Sequence, residues 1–303
     1  MKIVFKDTGK IRFDKWLAYS FPEKSREFFN DNIKSGKILL NDEIVKPSIK
    51  LAIDDKITIP DELWEEKKIE LLPNKKIKLN IVFENDDFIV INKPAGILVH
   101  PVTEKDHDTL VNGLIYTYPE IDKVGEDPLR PGVVHRIDKD TSGLVLITKN
   151  EKAFKNFKNK FKKRQINKFY LALVFGKLNA KKGIINTSIT RSKSKFNRRK
   201  ISKTDEGKEA ITEYEVIKEY QETSLLRVSI KTGRTHQIRV HFASLSNFII
   251  GDKEYGSKKI NNKYGAKRQF LHACELGFTY KREKYHFEID LPVDLKKTLK
   301  TML

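Results

Sequence analysis

The sequence is short of several things, and each shortage closes off a class of function. Cysteine occurs once, at Cys274, in 303 residues. One thiol excludes an internal disulfide and a cysteine-rich zinc site, fits a reducing cytoplasm, and reads as a small buried residue. No apolar run approaches the roughly 20 residues that span a bilayer, so no membrane span is expected. The opening MKIVFKDTGKIRFDKW lacks the apolar stretch of a signal peptide. No G-x-G-x-x-G loop is present and no residue cluster has metal-ligand spacing, so neither a nicotinamide nor a metal is indicated as cofactor. Internal repeats and low-complexity tracts are absent.

Acids are also in deficit. Lys plus Arg number 60 and Asp plus Glu 41, for a formal charge of +19. Such an excess points to a polyanion, nucleic acid before an anionic membrane surface. Two stretches contain no acid at all. One, 152–168, carries Lys152, Lys155, Lys158, Lys160, Lys162, Lys163, Arg164 and Lys168; the other, 191–203, carries Arg191, Lys193, Lys195, Arg198, Arg199, Lys200 and Lys203. A basic run is ordinarily a solvated face, but two in a chain of this charge favour phosphate binding, with Arg198, Arg199 and Lys200 as candidate contacts. Hydrophobic residues make up 39 %, enough to build a core.

The pattern divides the chain. Residues 1–60 read as a small unit. It has a helix over FDKWLAYSF with Asp14 as a possible cap, a second helix from Ser25 to Gly36, two short strands around Asn41-Asp42, and a strand DDKITI. Phe29 and Ile33 share a helical face. Residues 61–78, proline-bounded and charged, suit a linker whose Leu63, Trp64, Ile69 and Leu71 could dock on a domain. From 79 to 303 strands dominate: a hairpin turning at Asn85-Asp86-Asp87, GLVLITKN, KFYLALVFGKL, EAITEYEVIKEY, SLLRVSIKTG, RQFLHACELGFTY and YHFEIDLP. Helical spacing covers EKAFKNFKNKFKKRQI, with Phe154, Phe157 and Phe161 on one face, and RTHQIRVHFASL. The expectation is an α+β fold with a mainly antiparallel sheet.

One stretch, RPGVVHRIDKDTSG at 130–143, sets two aspartates inside a basic chain. A bare turn accounts for Asp, Thr, Ser and Gly. A calcium loop does not fit, because its twelfth position is Lys149 rather than an acid. A nucleophilic or basic aspartate is the third reading. The segment RPGVVHRIDKDTSGLVLITK resembles the signature of the RluA/RluC/RluD family of RNA pseudouridine synthases. So do VINKPAGILVHP (90–101), KFYLALVFG (168–176), TGRTHQIRVHFA (232–243), GDKEYG and RQFLHA, in family order. The first unit resembles the small RNA-binding domain named after ribosomal protein S-four. Asn247-Phe248 departs from the His-Pro usual before GDKEYG.

The resemblance implies an isomerase that breaks the N-glycosidic bond of uridine, turns the uracil and rejoins it through C5, without redox change, hydrolysis or cofactor. Asp138 matches the essential aspartate, which either attacks C1′ or removes a C2′ proton. Arg234 matches its arginine partner; Arg239 is the lesser candidate for that place and is expected to contact an RNA phosphate instead. Tyr170 matches the tyrosine that stacks on uracil near C5, where a proton leaves late in the reaction. His135 and Arg136 either fill the space of the displaced base and bind a flanking phosphate or shape the loop. His236 and His241 are expected to be structural, as are Lys93 and Pro94. The implied substrate is large-subunit ribosomal RNA, handled by a cytoplasmic monomer. A transfer-RNA synthase of the same family and a non-catalytic ribosome-assembly factor are the alternatives.

Overall fold

The computed structural model describes residues 1–64, 70–103, 105–192, 198–202 and 207–302. The chain forms two compact units, Met1–Lys68 and Ile69–Leu303.

In the first unit, β1 (Lys2–Val4), α1 (Phe13–Ser20), α2 (Arg26–Lys34), β2 (Leu39–Leu40) and β3 (Lys56–Thr58) enclose fully buried Phe5, Phe13, Leu17, Phe29, Ile33 and Ile57. The strands lie in the order β1-β3-β2, all antiparallel. Helix α2 starts where Ser25 Oγ accepts the Phe28 N–H at 3.1 Å, and Gly36, at φ +71°, sits just past its end. Two expectations fail locally. Asp14 caps nothing, since Arg12 holds the N-cap position of α1. Asp14 is instead buried between Arg12 and Arg26, at 3.0 and 2.6 Å; burial pushes its carboxyl up, but the two guanidinium groups outweigh that and hold it low. The strand expected after Asn41-Asp42 is reduced to a Leu40–Glu43 bridge, because β2 pairs with β3.

Of the residues read as a linker, Leu63 and Trp64 pack on the first core and Leu71 is buried in the second. Ile69 lies outside the described residues.

The second unit begins with the hairpin β4 (Ile81–Glu84) and β5 (Phe88–Lys93), then α3 (Leu110–Thr117), β6 (Ser142–Thr148) and α4 (Glu151–Lys162). Strands β7 (Asn167–Phe175), β8 (Lys182–Arg191), β9 (Arg199–Ile201), β10 (Lys208–Glu219) and β11 (Thr223–Ile230) follow. Last come α5 (Gln237–Ser244), α6 (Lys258–Lys263), β12 (Leu271–Tyr280), β13 (Glu283–Glu288) and α7 (Val293–Lys300). The hairpin turn is set by Asn85, whose Oδ1 accepts the Asp87 and Phe88 N–H groups at 2.9 Å. Helix α4 buries Phe154 and Phe157 and turns its lysines outward, as its spacing predicts. Elements α3, α6, α7, β8 and β9 are additions to the sequence reading. Among the described residues, no helix is long and apolar enough to cross a membrane.

These strands join in one mixed sheet, in the order β4-β5-β6-β12-β7-β11-β10-β8-β9, with β13 on β12. Its pairings are antiparallel except β6 with β12, which run parallel at Ser142–His272 and Gly143–Ala273. Every residue of β6 is buried, which accounts for its unbroken apolar run. The segment 130–143 enters the sheet at this parallel junction.

Candidate active site

The turn that carries Asp138 is held from several sides. The Thr141 N–H closes it onto the Asp138 carbonyl at 3.1 Å, and the Lys139 carbonyl accepts from Gly96 N at 2.9 Å and Lys93 Nζ at 3.0 Å. Arg268 Nη1 donates to the Asp140 carbonyl at 3.0 Å, and Gln269 Nε2 donates to Thr141 Oγ1 at 2.8 Å. Ser142 Oγ lies 2.9 Å from His272 Nδ1. Gly143 has φ +120°, and a Cβ there would come within 2.2 Å of the Ala273 carbonyl, so the strands meet this closely only with glycine. Three stretches far apart in sequence, around 93–97, 138–143 and 268–273, are therefore one construction.

Lys93 is the bolt of that construction. It is fully buried and donates to the carbonyls of Pro94, Ile97 and Lys139 at 2.7, 2.9 and 3.0 Å. Burial pulls its pKa down to about 7, yet three acceptors need three N–H donors, so the ammonium is the form this nest fits.

Asp138 Oδ2 accepts from Arg239 Nη1 at 3.1 Å. The arginine comes from α5, is itself buried, and is locked by two further carboxylates. Asp252, fully buried, takes Nε at 2.6 Å and Nη2 at 2.9 Å; Glu254 takes Nη2 at 3.0 Å. Burial opposes the charge on Arg239, but Asp252 and Asp138 outweigh it and raise its pKa above the ordinary arginine range. Asp252 Oδ1 also accepts the Glu254 and Tyr255 N–H groups, at 2.8 and 3.0 Å. The GDKEYG segment thus clamps Arg239. Its Gly251, at φ +82°, lets the backbone approach Arg268, whose carbonyl would lie 1.9 Å from a Cβ.

The pairing of Asp138 with Arg234 is overturned. Arg234 is exposed and its Nε donates to the Glu209 carbonyl at 3.0 Å. It lies in the turn before α5, which Gln237 pins by accepting Arg234 N at 3.0 Å and Thr232 Oγ1 at 2.7 Å. A signal for Arg239 was present in QIRVHFA: an arginine set between Ile238 and Val240, on a helix that turns out buried, requires carboxylate partners in the interior.

Above the ion pair opens a cleft of roughly 490 Å³, solvent-open mouth included, lined by Arg136, Asp138, Tyr170, Arg234, His236 and Arg239 among others. Tyr170 forms a wall; burial, and then the charge of Asp138, raise its phenol above the ordinary range. Arg136 is exposed at the mouth, with Nη1 3.1 Å from His100 Nε2. His100 Nδ1 lies 2.7 Å from the Pro101 carbonyl, and burial drops this ring to about 4. His135 does not line the cleft; of the two readings open for it, its contacts fit the loop-shaping one. It stacks on Phe161 at 4.7 Å and its Nε2 accepts the Leu146 N–H at 2.9 Å, a bond that needs the neutral ring; burial, and then Lys168, bring it down to about 3. His241 is buried in α5 against Thr187 Oγ1 at 3.2 Å. His236, expected to be structural like His241, lies in the cleft.

A second cleft adjoins the first, sharing Gly233, Arg234 and Thr235, and is lined by Arg191, Arg199 and Lys208 with no acid. Arg198 lies over the Tyr255 ring at 4.9 Å, and the Arg199 N–H donates to Tyr255 Oη at 2.7 Å. Lys200 is exposed. Lys193, Lys195 and Lys203 of the same run lie outside the described residues. The carboxylates Asp138, Asp252 and Glu254 converge on a guanidinium, and among the described residues no His, Cys, Asp and Glu group is arranged to ligate a metal. Asn247 and Phe248 serve the end of β7: Asn247 Nδ2 donates to the Phe175 carbonyl at 2.9 Å and Phe248 stacks on Phe175.

Residues 87–244 match the family described as RNA pseudouridylate synthase, and residues 11–57 match the S4 domain. An uncharacterized RNA pseudouridine synthase of Aquifex aeolicus is 38 % identical over 296 residues, covering 94 % of this chain and 92 % of the relative. Ribosomal large subunit pseudouridine synthase D of Vibrio cholerae is 36 % identical over 297 residues, covering 94 % and 89 %. Among solved structures, human RNA Pseudouridylate Synthase Domain Containing 1 superposes with a TM-score of 0.59 at 26 % identity, over 73 % of this chain and 87 % of that one. Fold, cleft and matches define an RNA-modifying isomerase. The chain belongs to the RNA pseudouridine synthase family, whose members convert uridine to pseudouridine.

Proposed function

We propose that Asp138 is the catalytic carboxylate, that Arg239 positions it and balances its charge, that Tyr170 stacks on the target uracil, and that the substrate is large-subunit ribosomal RNA. The observation that carries the catalytic part is the Asp138–Arg239 contact of 3.1 Å in a cleft walled by Tyr170. A target base lifted from its stack exposes the glycosidic bond to that carboxylate, and Arg136 at the mouth is placed to hold the vacated space. The substrate reading draws on the Vibrio cholerae relative, whose name specifies the large ribosomal subunit. It also draws on the S4-type unit, an RNA anchor ahead of the catalytic unit. With ribosomal RNA as the proposed substrate, the proposed location is the cytoplasm. The cleft groups named above are in keeping with the monomer proposed, and an isomerisation without redox change assigns no task to a metal or nicotinamide. Incubating the purified protein separately with large-subunit RNA and with transfer RNA, then mapping pseudouridine, is expected to show new sites in the ribosomal RNA. Product in transfer RNA alone overturns the substrate.

The second cleft and β9 are read as the path of the RNA backbone, with Arg234 as a phosphate contact at its junction with the active site. Each cation that meets a phosphate releases condensed counterions, at roughly 0.7 logarithmic units of salt dependence per contact on single strands. Replacing Arg198, Arg199 and Lys200 together by alanine is expected to flatten the salt dependence of binding by about two units and to raise KM more than it lowers kcat. An unchanged slope removes this strand from the path.

A further inference from the structure

We propose that Tyr255 is a positioning residue with two separable tasks: its hydroxyl seats the strand β9, and the face of its ring sets the tilt of Arg239 and so the aim of Asp138. The inference rests on the reading of the cleft as the uridine site and of β9 as part of the RNA path, and deepens it.

The hydroxyl serves the strand. β9 lies at the edge of the described sheet and pairs with β8, Ile189 with Ile201, Thr190 with Lys200 and Arg191 with Arg199. An edge strand of three residues has little of its own to hold it in place. The Arg199 N–H reaches outside that ladder and donates to Tyr255 Oη at 2.7 Å, across 56 positions of sequence. Arg198, the residue before the strand, lays its guanidinium over the same ring, 4.9 Å from the centroid. Burial pushes the Tyr255 phenol up to about 12, so it stays protonated. A protonated phenol can accept from the strand and still keep its own hydrogen. Arg191 and Arg199 line the acid-free second cleft, so this bond seats the very strand that carries its cations.

The ring face serves Arg239. That guanidinium gives four hydrogen bonds to carboxylates, two to Asp252, one to Glu254 and one to Asp138. Its N–H groups lie in its own plane, so such bonds fix it within the plane and restrain its tilt least. Tyr255 supplies the missing restraint. The guanidinium carbon lies 5.1 Å from the ring centroid, within the range where the ring quadrupole attracts a cation. The ring is fastened to the same clamp, because Asp252 Oδ1 accepts the Tyr255 N–H at 3.0 Å and the Asp252 carbonyl accepts the Gly256 N–H at 3.2 Å. Arg239 reaches Asp138 through Nη1 alone, so a tilt of the guanidinium moves that nitrogen away from the carboxylate. One side chain thus touches both the strand proposed to grip RNA and the arginine that aims the carboxylate. Packing alone calls for neither contact.

The test compares Tyr255→Phe, which keeps the ring and removes the hydroxyl, with Tyr255→Leu, which removes both. KM and kcat for pseudouridine formation are measured on one RNA, with Tm as the check of folding. The Phe variant is expected to raise KM about three- to tenfold, the scale of one hydrogen bond, and to keep kcat within about twofold of the parent. The Leu variant is expected to show the same rise in KM and a kcat lower by about tenfold, the scale of a lost cation–π contact. Phenylalanine therefore rescues kcat and not KM, a split that a general loss of packing does not produce. Tyr255→Met takes the place of Leu should that variant fail to fold. An unchanged KM in the Phe variant overturns the proposal. So does an unchanged kcat in the variant without a ring, or an equal loss of kcat in both. A parent protein that forms pseudouridine in no RNA counts against the reading of the site, and this inference falls with it. An active parent whose triple β9 variant keeps its salt slope counts against the RNA path instead.

Discussion

Asp138→Asn is expected to abolish pseudouridine formation, lowering kcat on the order of 10⁴-fold or more, the scale of loss when a catalytic carboxylate is removed. The variant keeps the shape of the side chain and loses its charge and its capacity to attack or deprotonate. It is also expected to fold, because Arg239 retains its two bonds to Asp252 and one to Glu254. The turn is held by Lys93, Arg268 and Gln269 whatever stands at 138. RNA affinity is expected within a few-fold of the parent, as the phosphate contacts proposed above lie elsewhere. Residual turnover above about one per cent of the parent, measured on the same RNA, removes Asp138 from the role.

Arg239→Met is expected to damage stability and activity together, and the two effects can be separated. The substitution leaves Asp252, which is fully buried, as an unpaired interior charge. Breaking a buried pair from one side costs about 3–5 kcal/mol, which for a domain of this size lowers Tm by roughly 10 °C. Activity is expected to fall about 10³-fold, because Asp138 and Glu254 lose the group that orients them. Adding Asp252→Asn removes the stranded charge, while its side-chain oxygen can still accept from the Glu254 and Tyr255 N–H groups. The double variant is expected to recover most of the lost Tm and none of the lost activity. Recovery of turnover along with Tm makes Arg239 a stabilising residue only.

Local chemistry explains which parts were legible in the sequence. The Asn85 turn, the Ser25 cap, the amphipathic α4 and the buried strand β6 each depend on residues within a few positions of one another, so pattern alone placed them. Asp138 stood out in the sequence because its segment matches a family signature, and its turn proves compact. The arginine partner was misassigned because Arg234 and Arg239 are five positions apart and only the direction of α5 separates them. That direction follows from the αL residue at 236 and from the Gln237 bonds, neither visible as a pattern. Lys93 was taken as structural, but its acceptor on Lys139, 46 positions away, was not inferable. His135 reads as a cation in sequence; its stacking on Phe161 and its bond to Leu146 depend on α4 folding back over β6.

The parallel junction between β6 and β12 has a consequence for timing. Ser142 and His272 meet across 130 positions, and loops of that length close late relative to hairpins. A nascent chain made as far as residue 260 already contains Asp138, Tyr170, His236 and Arg239. It still lacks Arg268, Gln269 and His272, which fasten the turn. At synthesis speeds of about 5–20 residues per second, roughly 7–26 s separate the emergence of the carboxylate from that of its fasteners. If the first unit serves as the RNA anchor proposed above, binding would arise before catalysis, and a chain still being translated would hold a uridine-bearing RNA without altering it.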